Sequence, residues 1–101
     1  IETIEEIISK KIVFRKKDNK TRDIFDIALC INKNKNILKE LITTGKVDAS
    51  DIIDLYDALK KLNRTKYDSQ IKIVEPKEQY SELAKIAPEI IIENIKELKL
   101  I

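Results

Sequence analysis

The residues able to do chemistry gather in one stretch of this 101-residue chain: Lys11-Ile-Val-Phe-Arg15, a polar loop, then Arg22-Asp23-Ile-Phe-Asp26-Ile27. Lys11 and Arg15 stand one helical turn apart, beside Ile4, Ile8 and Ile12 and not on an opposite solvated face. Asp23 and Asp26 share one face of a second helix, and their neighbours Ile24, Phe25 and Ile27 are core-type residues. A short loop returns the second helix against the first, so two cations and two carboxylates can meet across one seam. Two readings follow. The four groups are partly buried ion pairs that fix helix register. Or they form half of a site, in which a lysine holds a phosphate as a point charge and an aspartate orients that lysine, binds a metal or takes a proton. Spacing alone leaves both open.

The elements that must position these groups read as helices. Thr3 followed by Glu6 is a capping box for a helix from about Glu2 to Lys16, with Ile7 and Phe14 widening its apolar side. Thr21 is placed to cap a second helix to about Ile31, its inner face formed by Ile24, Phe25, Ile27, Ala28 and Ile31. A third, near Asn34 to Thr44, buries Ile37, Leu38, Leu41 and Ile42, and Gly45 follows where a left-handed residue is wanted. Asp48 or Ser50 caps a fourth helix through about Leu62. Asn63 to Ser69 reads as a polar connection, and Ile71 to Val74 as a helical turn or an extended segment on the bundle. Pro76 fits the first turn of a helix ending near Ala87. Pro88 keeps Ala87 out of the α region and opens a last helix, Glu89 to Leu100. The expectation is one all-α domain, a small bundle of about five to six short helices.

Composition closes off other classes. One Cys and no His exclude a disulfide framework and an ordinary zinc site. A single Gly excludes a Rossmann turn or P-loop within these residues. No apolar run approaches the roughly 20 residues that span a bilayer, so no membrane partner is expected and a cytoplasmic protein is. The excess of 20 Lys+Arg over 18 Asp+Glu is too small to imply nucleic-acid binding by itself. The chain has no Met and begins at Ile1, whereas an initiator Met is trimmed mainly before small residues. The expectation is a domain of a longer protein.

Cys30, on the inner side of the second helix, has no histidine base and reads as a small buried hydrophobe. Tyr56, Tyr67 and Tyr80 read as core-edge residues, and Lys16, Lys17, Lys20, Lys33 and Lys35 as a solvated basic rim that could hold an RNA backbone. The segment from Pro88 to Ile101 is too apolar for a free surface helix and is expected to close the bundle.

The segment EEIISKKIVFRKKDNKTRDIFDIAL resembles the helical motif of AbiEii-type nucleotidyltransferases, a family with abortive-infection and toxin–antitoxin members. That pattern runs through Glu5, Glu6, Lys11, Arg15, Arg22, Asp23, Phe25, Asp26 and Ile27, about a quarter of the chain. The resemblance implies that Lys11 contributes to binding nucleotide phosphates and that Asp23 or Asp26 is an essential acid. It places Arg15 and Arg22 on the nucleotide-binding side, holding the seam together. It further implies an NTP and Mg²⁺ for the whole enzyme, and a tRNA end or protein side chain as acceptor. An N-terminal nucleotidyltransferase domain and a cognate antitoxin are its implied partners. The family's Gly-Ser motif and Asp-x-Asp have no counterpart here, since Asp51-Ile52-Ile53-Asp54 has the spacing of helix capping. No metal ligands, and no activity in isolation, are therefore expected of these residues. The alternative is a non-catalytic helical module that binds protein or RNA.

Overall fold

In a computed structural model the described residues are 3–15, 21–74 and 77–100, with the side chains of 15 and 74 left aside. They form seven α-helices and one turn of 3₁₀ helix: α1 (Ile4–Arg15), α2 (Thr21–Lys33), α3 (Ile37–Thr43), α4 (Ala49–Lys60), α5 (Arg64–Val74), the 3₁₀ turn (Glu78–Tyr80), α6 (Ser81–Lys85) and α7 (Ala87–Glu97). The all-α class is as expected, with one helix more than the sequence implied. No described helix is long and apolar enough to cross a membrane.

Two helices organise the core. α2 packs along α7 and also meets α1, α3, α5 and α6, while α7 packs on α4 as well. Ile24, Ile27 and Ala28 of α2 and Ile91 and Ile95 of α7 lie at the centre, each at most 1% exposed. The C-terminal segment thus closes the bundle. Asn94 of α7 adds a cross-tie, its Nδ2 donating to the Lys35 carbonyl at 2.9 Å.

Local chemistry sets several boundaries. The Glu6 N–H donates to Thr3 Oγ1 at 3.1 Å, half of the capping box read from the sequence. α3 starts later than expected, because the Asn36 N–H donates to Asn34 Oδ1 at 3.0 Å and that local turn competes with the helix. Past its end, Gly45 (φ +77°) donates to the Ile42 carbonyl at 3.1 Å and Lys46 to the Leu41 carbonyl at 2.9 Å, a Schellman pattern. Asp48, not Ser50, caps α4, and its N–H donates back to Asp51 Oδ2 at 3.1 Å.

Other expectations are corrected. Residues 64–74 are one helix, not a polar connection followed by a turn. Asn63 starts it, its Oδ1 accepting from the Lys66 N–H at 3.0 Å, and Tyr67 and Ile71 give it one buried residue per turn. Tyr67 is accordingly a core residue, 1% exposed, and not a core-edge one. The helix expected from Pro76 to Ala87 is a 3₁₀ turn followed by the short α6, and Pro76 lies outside the described residues. Ala87 is not held out of the helix by Pro88. It is the first residue of α7, and Pro88 falls in the first turn, where its missing N–H costs no intrahelical bond. α7 ends before Leu100, with Lys99 at φ +58°. Thr21 belongs to α2 and its hydroxyl donates to Gln70 Oε1 of α5 at 2.6 Å, tying two helices together. On α1 Ile8 and Ile12 are buried in the core and Val13 packs against it, while Ile4, Ile7 and Phe14 are exposed.

Candidate functional site

α1 and α2 run antiparallel, which lays the middle of one against the first turns of the other. Ile8 and Ile12 anchor α1, and the Lys11 side chain is thereby aimed along the seam at α2. There its Nζ donates to Asp23 Oδ1 at 3.0 Å and to Asp26 Oδ2 at 2.9 Å. Asp23 and Asp26, three residues apart on a helix, project to the same side and grip the ammonium from two directions. Two of the three ammonium donors are engaged in this way.

The electrostatics follow from the burial. Burial pushes the Lys11 ammonium down, but its hydrogen bonds to Asp26 and Asp23, and then their charges, outweigh that and hold its pKa above the ordinary lysine value. Lys11 is therefore a fixed positive charge at neutral pH. Asp23 is almost fully enclosed, and a carboxylate in that setting is stable only beside a cation. Sequence reasoning thus located three residues that the fold brings together. Arg22, also on α2, is exposed, and the side chain of Arg15 lies outside the described residues.

Beside the seam a cleft of about 440 Å³ opens between α1, α2 and the start of α3. Its apolar walls are Ile4, Ile7, Ile8, Leu29 and Ile37, and Lys11 and Asp26 line it with them. Glu5, Cys30, Lys33 and Asn34 complete the lining. Glu5 stands in the motif and Lys33 in the basic rim, whereas Cys30 and Asn34 were not read as parts of a site. The signal for Cys30 and Lys33 is the spacing 26, 30, 33 on α2, which repeats one face every turn. Cys30 is half-buried, and burial, then the charge of Asp26, pushes its thiol up, so it is a poor nucleophile at neutral pH. Lys33 and Lys35 of the basic rim are exposed on the surface, while Lys16, Lys17 and Lys20 lie outside the described residues.

The arrangement can present a pre-oriented ammonium to an anion in a largely apolar cleft. It does not fit a metal ion: among the described residues no group of three or more Asp, Glu or Cys converges to hold one, and Asp23 and Asp26 already bind the ammonium. Comparison with protein-family models, curated proteins and solved structures finds no match.

Proposed function

We propose that this chain is the helical half of a nucleotidyltransferase active site, with Lys11 gripping the phosphates of an NTP and Asp23 and Asp26 fixing that lysine. One observation carries the reading. The Lys of the Lys…Arg-Asp-x-Phe-Asp segment is bonded to both of its Asp residues at 2.9–3.0 Å, and Lys11 and Asp26 line an open cleft. Preorganised cations matter in phosphoryl and nucleotidyl transfer because they meet charge spread over phosphate oxygens without reorganising during the reaction. Arg15 and Arg22 belong to the same basic neighbourhood in this reading.

The rest of the active site is assigned to an N-terminal nucleotidyltransferase domain of the same cytoplasmic protein. The exposed Ile4, Ile7 and Phe14 follow the same side of α1 as Lys11, and they are the surface we assign to it. The acceptor in this reading is a tRNA end or a protein side chain, with a cognate antitoxin as a further partner. The Mg²⁺ that the resemblance implies finds no seat among the described residues.

The test is transfer of radiolabelled nucleotide by the full-length protein. Lys11→Ala and Asp23→Ala are each expected to lower turnover at least a hundredfold while circular dichroism and the melting transition remain cooperative. Turnover within tenfold of wild type in both, with the fold retained, would overturn the assignment. It would favour the non-catalytic interaction module, for which the exposed apolar line on α1 is the supporting observation.

A further inference from the structure

A second groove, of about 460 Å³, lies between α7 and the end of α2 and shares no lining residue with the cleft beside Lys11. Its apolar lining includes Ile31, Ile86 and Ile90, and Glu89, Glu93 and Glu97 follow one another along it at four-residue spacing. Residues so spaced form one stripe of a helix, each about 6 Å further along the axis than the last. Asn94 lines the groove as well and is only 8% exposed. Its Nδ2 is committed to the Lys35 carbonyl, but its Oδ1 is buried with no hydrogen-bond partner among the described residues. A buried acceptor without a donor costs about 1–3 kcal/mol. On the core side α7 presents Ile91 and Ile95, which carry no side-chain donor, so the groove is the side from which one can come.

We infer that this groove binds a linear aliphatic polyamine, its charged nitrogens on Glu93 and Glu97 and one N–H donated to Asn94 Oδ1. The covered position of Oδ1 calls for a slender donor on a flexible chain, which an amine supplies and a folded surface does not. Spacers of three or four methylenes set neighbouring nitrogens about one helical turn apart, the spacing of residues 93 and 97. The same methylenes match the apolar Ile86 and Ile90. A compact metal ion is not matched, since among the described residues no group of three or more acids converges on one point. The cations already present decide which carboxylates are used. Glu89 is bound by Arg64, which also reaches the Lys85 carbonyl and Asp68, so it stays with that guanidinium. Glu93 has only Lys96 Nζ at 3.6 Å, a contact between exposed groups that is worth little and is readily exchanged. Lys35 lines the groove and opposes a cation, but its side chain is exposed and can carry its charge into solvent.

The probe is spermidine, titrated at constant ionic strength into isotope-labelled chain and followed by the Asn94 side-chain amide and the backbone amides of α7. A saturable shift of the Asn94 amide is expected at millimolar spermidine or below. The double variant Glu93→Gln/Glu97→Gln is expected to raise Kd about fivefold or more. Glu78→Gln/Glu82→Gln removes the same charge at the same sequence spacing from outside the groove, and is expected to change Kd less than about twofold. Mg²⁺ at matched ionic strength is expected to leave the Asn94 amide unmoved. A polyamine site is ruled out if Asn94 shows no saturable shift, if the two double variants bind spermidine alike, or if Mg²⁺ moves Asn94 equally.

Discussion

Tyr67 and Lys11 show how single buried polar groups tie this fold to pH. The Tyr67 ring fills the core, and its hydroxyl donates to the Ala84 carbonyl at 2.6 Å, linking α5 to α6. Burial pushes its phenol up to about 12. The native state therefore keeps this proton where the unfolded chain, at the ordinary value of 10, releases it. Stability is full below pH 10 and falls as pH rises toward 12. Lys11, also raised, adds the same sign of dependence above the ordinary 10.5. Tyr67→Phe is expected to cost about 1–2 kcal/mol near neutral pH, because the Ala84 carbonyl loses its donor. Between about pH 10 and 12 the variant should lose stability less steeply than wild type. Urea unfolding across that range checks both, and parallel slopes would show that the phenol proton does not contribute. The seam itself was legible from sequence because charged residues sit among core residues at helical spacing on both helices. Tyr67 was not, since Lys66, Asp68 and Ser69 around it disguise its inward position.

At the scale of elements, legibility followed the density of local signals. α1 and α4 carry side-chain caps, α2 to α4 carry apolar residues on repeated turns, and a glycine follows α3; the physics that forms them acts within a few residues. α5 buries only about one residue per turn, so neither a helical stripe nor a strand alternation stands out, and Asn63 as its cap is the one local clue. The cleft was illegible for another reason. Its shape depends on where α3 begins, which the Asn34 turn decides, and on how α1 and α2 diverge, which distant packing decides. Gly45 is the clearest element-scale dependence. A Cβ added there meets nothing within 4 Å, so a substitution is opposed by the backbone alone at φ +77°. Gly45→Ala is expected to cost about 1–2 kcal/mol with no change in the denaturant slope. Gly45→Asn should cost less, since Asn tolerates the left-handed region better. Chemical denaturation of the two variants gives the comparison, and a neutral Ala would mean the α3–α4 turn is free to refold around another conformation.

The whole molecule, with a radius of gyration of 12.7 Å, depends on its last helix as much as on its first. Ile91 and Ile95 stand one turn apart, both fully buried between α7 and its neighbours α2 and α4. Helices joined by short connections cannot bury their inner faces pairwise, so α7 supplies the wall against which α2 and α4 both pack. Removing it would expose the inner faces of both, and with α2 the seam that holds Lys11. Ile95→Ala is expected to cost about 2–5 kcal/mol. A chain of this size has only about 5–15 kcal/mol in total. The double variant Ile91→Ala/Ile95→Ala should therefore lose its cooperative melt, although two sites one turn apart share one cavity and their costs need not add. Ile73, on α5 and 80% exposed, is the matched control, and Ile73→Ala should change stability by less than about 0.5 kcal/mol. Calorimetry separates these outcomes. A double variant that still melts cooperatively within a few degrees of wild type would mean the bundle closes without α7, and that this apolar helix is available to another partner.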